Sequence, residues 1–114
     1  MQDEPAHWDL MLEADGVLLT YRLGLPPEQL LGQQAAAMKI FDHPLKFLTY
    51  EGSVNKGLGR VQIADSGTYR LLDQNPKLLL LDLDGQILAG QFRLIHIDGN
   101  KWEFRPCQHL AESK

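Results

Sequence analysis

Three residues able to do polar chemistry fall at alternate positions near the start of the chain, His7, Asp9 and Glu13 of His7-Trp8-Asp9-Leu10-Met11-Leu12-Glu13. In a strand, successive side chains point to opposite faces, so these three share one face with Met11, while Trp8, Leu10 and Leu12 share the other. An imidazole beside a carboxylate, backed by an apolar wall, is how a β-protein presents a metal or phosphate site on a rigid support. The same alternation also describes a solvated strand face, and the pattern alone does not separate the two readings. A second candidate, His43, stands in Asp42-His43-Pro44, where the proline ends the strand and leaves the histidine at its edge. Lys56, in the glycine-rich stretch 51–59, could reach a phosphate. That stretch lacks the Gly-Lys-Ser/Thr ending that opens a helix in a P-loop. His96 and His109 have no metal-ligand spacing to each other or to Asp9 and read as structural or solvated. The single cysteine, Cys107, rules out an internal disulfide and a cysteine cage, leaving any metal to His, Asp and Glu.

The elements that must position these groups are short strands. Ala14-Asp15-Gly16 is a turn signal joining the first strand to Val17–Leu23 in a hairpin. Gly24-Leu25-Pro26-Pro27 breaks the second strand, and Glu28–Leu31 suits a short helical turn. Residues 33–37 are compatible with helix, and Met38–Phe41 alternates as a strand. The stretch from Leu45 to Tyr50 is expected to cover the core, and 51–59 to be a surface loop. From Arg60 onward the pattern is a run of hairpins with turns at Asp65-Ser66-Gly67, Asp84-Gly85 and Asp98-Gly99-Asn100, and a connection at Asp73-Gln74-Asn75-Pro76. The expected fold is all-β and mainly antiparallel, a compact β-barrel with one short helical segment. Residues 1–106 would form one domain and 107–114 a tail free to fray.

Composition narrows the function classes. The 114 residues are 44% hydrophobic and 23% charged, which suits one globular core. A formal net charge of −4 argues against a general nucleic-acid binder held by bulk electrostatics. Recognition of one terminal phosphate by a few placed groups stays open. The acidic start lacks the pattern of a secretion signal, and no apolar run is long enough to span a bilayer, so a cytoplasmic protein without membrane partners is expected. Trp8 and Trp102 could each stack on a nucleobase; alternation assigns Trp8 to the core and leaves Trp102 open.

Three ordered blocks carry a resemblance: His7–Glu13 with its Asp15-Gly16-Val17 turn, Asp42-His43-Pro44-Leu45 followed by Tyr50-Glu51-Gly52, and Leu88–Leu94 ahead of Trp102. Together they resemble the 3′-phosphoesterase domain of bacterial DNA ligase D and its small stand-alone relatives. The resemblance implies a β-barrel that uses manganese, or another divalent cation, to trim a 3′-terminal ribonucleotide or remove a 3′-phosphate at a broken DNA end. Its partners would be DNA or RNA-tipped DNA 3′ ends and a DNA ligase or polymerase. By the same resemblance Asp9 and His43 match two metal ligands, and His7 matches a histidine contacting the scissile phosphate. An Asp oxygen and a His nitrogen do suit such an ion. Glu13 and Thr20 stand where the family keeps polar residues, and with Lys56 they are the candidate substrate contacts. Asp9 and His43 are therefore expected to share one cation, with His7 beside them.

The departures are specific. A third metal ligand, a histidine on a strand ahead of the His-x-Asp block, has no counterpart before His7. Met11 replaces an arginine and cannot neutralise phosphate charge. Another phosphate-binding arginine falls in the alanine run near Ala35, an expected tyrosine is Phe47, and a lysine is replaced near Leu25. These losses predict weak metal binding. They also raise the alternative of a catalytically lapsed relative that binds nucleic-acid ends or serves as a protein-interaction module in a repair complex.

Overall fold

The computed structural model describes residues 6–54, 57 and 59–107. Its first hairpin pairs β1 (Trp8–Ala14) with β2 (Val17–Leu23). Asp15 and Gly16 both take positive φ, 53° and 84°, as a two-residue turn matched to the right-handed twist of its strands requires. That turn sets Ala14 opposite Val17 and, counting back, Asp9 opposite Arg22. After a 3-10 turn at Pro27–Gln29, β3 (Ala35–His43) adds to β2. Residues 35–37, compatible with helix by sequence, are strand: Ala35 and Ala37 face the core while Ala36 is exposed, and small side chains here let the sheet pack closely.

A second 3-10 turn, Leu45–Leu48, follows where one helical segment was expected in all. It does not cover the core as anticipated, since Leu45 and Leu48 are both exposed. The presumed surface loop also contains structure. Short strands β4 (Gly52–Val54) and β5 (Gly59–Val61) pair as a separate two-stranded ribbon, with Val54 opposite Gly59 and Gly52 opposite Val61. Lys56 lies outside the described residues, as do His109 and all of the expected tail except Cys107.

Four strands then meander back: β6 (Gly67–Asn75), β7 (Leu78–Gly85), β8 (Ala89–Asp98) and β9 (Lys101–Pro106). Asp73-Gln74-Asn75 belongs to β6 rather than to a connection, because an irregularity between Leu71 and Asp73 absorbs one residue and lets pairing continue. The turn expected at Asp84-Gly85 lies instead at residues 86–88, since Asp84 and Gly85 belong to β7, and it is held by Asp65, whose carboxylate accepts from the backbone N–H groups of Gln86, Ile87 and Leu88.

β9 pairs with β3, giving one seven-stranded antiparallel sheet in the order β1-β2-β3-β9-β8-β7-β6. The edges β1 and β6 approach each other. Tyr69 of β6 donates its phenolic O–H to the Glu13 carbonyl of β1 at 2.7 Å, so the sheet is a nearly closed barrel. Its interior is lined by Leu12, Tyr21, Leu81, Leu94 and the stacked rings of Phe92 and Phe104, 5.1 Å apart. Trp102 packs against this cluster, edge-on to Tyr21, whereas Trp8 is half-buried and outside it. Truncating a buried ring such as Phe104 typically costs about 3–5 kcal/mol. The wall behind β1, β2 and β3 is correspondingly rigid. Among the described residues no helix is long and apolar enough to cross a membrane.

Candidate functional site

The face of β1, β2 and β3 turned away from the barrel interior carries the polar candidates. Directly paired residues of antiparallel strands put their side chains on the same side. The register therefore places Asp9, Arg22 and Met38 in one row, Met11, Thr20 and Ile40 in the next, and Glu13, Leu18 and His43 in a third. The third row depends on a bulge: between Thr20 and Leu18 β2 advances two positions, while between Ile40 and His43 β3 advances three. Without that extra residue Asp42 would stand opposite Leu18. Bulges re-aim side chains in this way, and here the result is that His43 joins the Asp9 face.

Each end of the site is tied within the hairpins. The Arg22 guanidinium donates to Asp9 through Nε at 3.0 Å and Nη2 at 3.4 Å, a two-point clamp on one carboxylate. Two of the five N–H donors of the fork are used, and the Arg22 side chain is 42% exposed. The His43 Nδ1 lies 2.8 Å from the Thr20 hydroxyl, which is fully buried and donates to the Leu18 carbonyl. Thr20 is one row from Arg22, roughly 7 Å along the strand. Asp9–Arg22 and Thr20–His43 are thus neighbouring couples on one face.

Around His43 the side chains are aromatic. Phe41 stacks on its ring at 4.8 Å and 22°, Phe47 meets it edge-on at 5.6 Å, and Tyr50 meets Phe47 edge-on in turn. Lys46 lies over both Phe47 and Tyr50, and Phe41 is 74% exposed. On the other side, a shallow groove of about 650 Å³ runs from Arg22 across Ala36 and Met38 to Lys101 and Ile97. Lys101 pairs directly with Met38 and so shares the Arg22 face.

His7 is exposed, two residues ahead of Asp9 and just outside β1. Glu13 is exposed in the His43 row, one strand removed from it, and its backbone carbonyl closes the barrel. His96 has a structural role: its Nε2 lies 2.8 Å from the Gly99 carbonyl, so it donates across the β8–β9 turn, and its ring packs on Trp102. Among the described residues no three His, Cys, Asp or Glu side chains gather as a cation site would need. Arg22 and Lys101 were not singled out from the sequence. Arg22 could have been, because the two-residue turn alone sets it opposite Asp9.

A guanidinium, an imidazole and exposed aromatic rings on one rigid face can bind a phosphate monoester or diester beside an unpaired base. Comparison with known proteins agrees in kind. Residues 2–96 match the family described as the DNA Ligase D 3′-phosphoesterase domain. The chain is 33% identical over 117 residues to the multifunctional non-homologous end joining DNA repair protein LigD of Mycobacterium tuberculosis, covering 95% of this chain and 15% of that protein. It is 29% identical over 110 residues to the multifunctional non-homologous end joining protein LigD of Mycolicibacterium smegmatis, covering 84% and 14%. The corresponding protein of Pseudomonas aeruginosa is 33% identical over 98 residues, 78% of this chain and 12% of its own length. The chain thus spans about 15% or less of these relatives.

Proposed function

We propose, since the chain belongs to the DNA Ligase D 3′-phosphoesterase domain family, that it acts on the 3′ ends of broken DNA during end-joining repair. The observation that carries this reading is the β3 bulge, which brings His43 onto the face already holding the Asp9–Arg22 pair. A terminal 3′-phosphate, or the phosphodiester of a terminal ribonucleotide, sits between Arg22 and His43. Arg22 neutralises its oxygens with the donors that Asp9 leaves free, and His43 hydrogen-bonds or protonates an oxygen of the same group. Phe41 supplies an exposed ring on which the terminal base stacks. A DNA ligase or polymerase is the partner that would receive the cleaned end.

Manganese, or another divalent cation, is the cofactor that the family resemblance implies. The side chains present do not fit a closed metal centre, because no three donors converge among the described residues and the Asp9 carboxylate is already clamped by Arg22. An ion entering beside His7 and Asp9 would have to compete with that guanidinium. By register His43 stands two rows from the row that holds both Asp9 and Arg22.

The same clamp favours a second reading, in which the protein holds 3′ ends with little or no turnover. A primer-template carrying a 3′-phosphate or a single 3′-ribonucleotide, offered with manganese to the native protein and to His43→Ala, separates the two. Specific binding of the recessed phosphate-bearing end with slow turnover is expected. Fast turnover lost in His43→Ala would establish the enzyme, and equal negligible rates alongside specific binding would establish the end-binder. Indifference to whether the end carries phosphate or hydroxyl would sink both.

A further inference from the structure

We infer that Thr20 is a positioning residue that decides which nitrogen of His43 faces the substrate, an inference that rests on the role proposed for His43. The Thr20 hydroxyl is fully buried and has two neighbours, the Leu18 carbonyl oxygen at 3.0 Å and His43 Nδ1 at 2.8 Å. A threonine hydroxyl owns one hydrogen and can also accept. The carbonyl can only accept. Both contacts are hydrogen bonds in one arrangement alone: Thr20 donates to Leu18, and Nδ1 carries a hydrogen that it donates to the Thr20 oxygen. Pointing the hydroxyl hydrogen at Nδ1 instead would leave the Leu18 contact without a donor.

The consequence falls on the far side of the ring. A neutral imidazole protonated on Nδ1 bears its lone pair on Nε2, the nitrogen away from Thr20, so a second proton taken up by the ring goes there, and it is the Nε2–H of that imidazolium which donates to the phosphate oxygen. Stacked Phe41 and edge-on Phe47 hold the ring plane, so orientation and tautomer are set by different neighbours. Thr20 itself, with no exposed surface, reaches a substrate only through His43. The bulge is part of the device, because it is what carries His43 to within bonding distance of Thr20 across β2 and β3.

The test uses the full chain, native and as Thr20→Val and Thr20→Ser. Valine keeps the branched shape and removes the hydroxyl; serine keeps the hydroxyl and checks that any effect is not a packing defect. Long-range proton–nitrogen NMR correlations of the His43 ring, recorded at about pH 8, where imidazole is ordinarily neutral, report the tautomer directly. Nδ1–H is expected in the native protein and Thr20→Ser, with loss of that preference in Thr20→Val. Where 3′-phosphate release is measurable, Thr20→Val should slow it roughly ten- to a hundred-fold, by analogy with the loss of a partner that orients a metal-ligating histidine, with Thr20→Ser restoring most of the rate. A hydrogen on Nε2 in the native protein, or an unchanged tautomer in Thr20→Val, would overturn the inference. The tautomer is read without turnover, so a native protein that neither binds nor processes 3′ ends would refute the proposed function while this reading of Thr20 is still decided by the spectrum.

Discussion

Asp9 meets a cation from its own hairpin, and that pairing shapes what the site can hold. The Arg22–Asp9 contact is partly exposed, with the arginine side chain 42% and the aspartate 15% accessible, so it contributes little to folding, on the order of 0–1 kcal/mol. Its effect is on ligand choice. While clamped, the carboxylate is a poor ligand for a cation, and the guanidinium keeps donors for an anion. Arg22→Gln should therefore act in opposite directions. Affinity for a 3′-phosphate end is expected to fall about tenfold or more, since hydrogen bonds to charged groups are worth roughly 1.5–3 kcal/mol. Manganese-induced NMR line broadening at His7 and Asp9 should increase, because the carboxylate is released. Thermal unfolding should change little. An Arg22→Gln protein with undiminished phosphate affinity would remove this residue from the site.

At the level of strands, barrel closure turns on Tyr69, which bonds the Glu13 carbonyl across the two sheet edges. Its phenol is pushed above the ordinary 10.0 by burial and by the nearby Glu13 and Asp15 charges. Tyr21, inside the barrel, is raised by burial, by Asp42 and by Tyr69. In the unfolded chain both phenols ionise at the ordinary value, so above it the unfolded state loses protons first. Their contribution to stability is whole below about pH 10 and is lost as pH climbs through the raised folded values. Urea midpoints measured from about pH 8 to 11 should fall steeply above 10, and less steeply in Tyr69→Phe, which has no hydroxyl to ionise. A flat profile would show that neither phenol is perturbed. Strand content and order were largely legible in the sequence, because Asp-Gly-type turns bound alternating stretches. The Asp9–Arg22 pair was equally legible, since a two-residue turn leaves one register. The bulge was not. No glycine or proline marks the extra residue between Ile40 and His43, so alternation alone carries Asp42 to the Asp9 face, and the Thr20–His43 bond stays hidden with it. The β4–β5 ribbon was masked by glycines that read equally well as loop.

For the molecule as a whole, the proposed function asks how a chain of net charge −4 would hold a polyanion. The bulk field opposes binding, so affinity must come from a few placed cations and from stacking, and the count of those cations is measurable. Arg22 and Lys101 lie on one face along the groove past Met38, and no salt bridge among the described residues engages Lys101. Each phosphate neutralised on a single strand contributes about −0.7 to the slope of log affinity against log salt. Two such contacts predict a slope of about −1.4, far shallower than that of a protein wrapping duplex DNA through a basic surface. Stacking on Phe41 is sequence-tolerant and nearly independent of salt, so it raises affinity without steepening the slope. Fluorescence anisotropy of a labelled 3′-phosphate oligonucleotide across a salt series measures this. Lys101→Ala should flatten the slope by about 0.7 while preserving the preference for a phosphate-bearing end, because that preference belongs to Arg22 and His43. A native slope of about −5 or steeper, or one that Lys101→Ala leaves unchanged, would move the strand-binding path off the groove between β2, β3 and β9 and onto another surface.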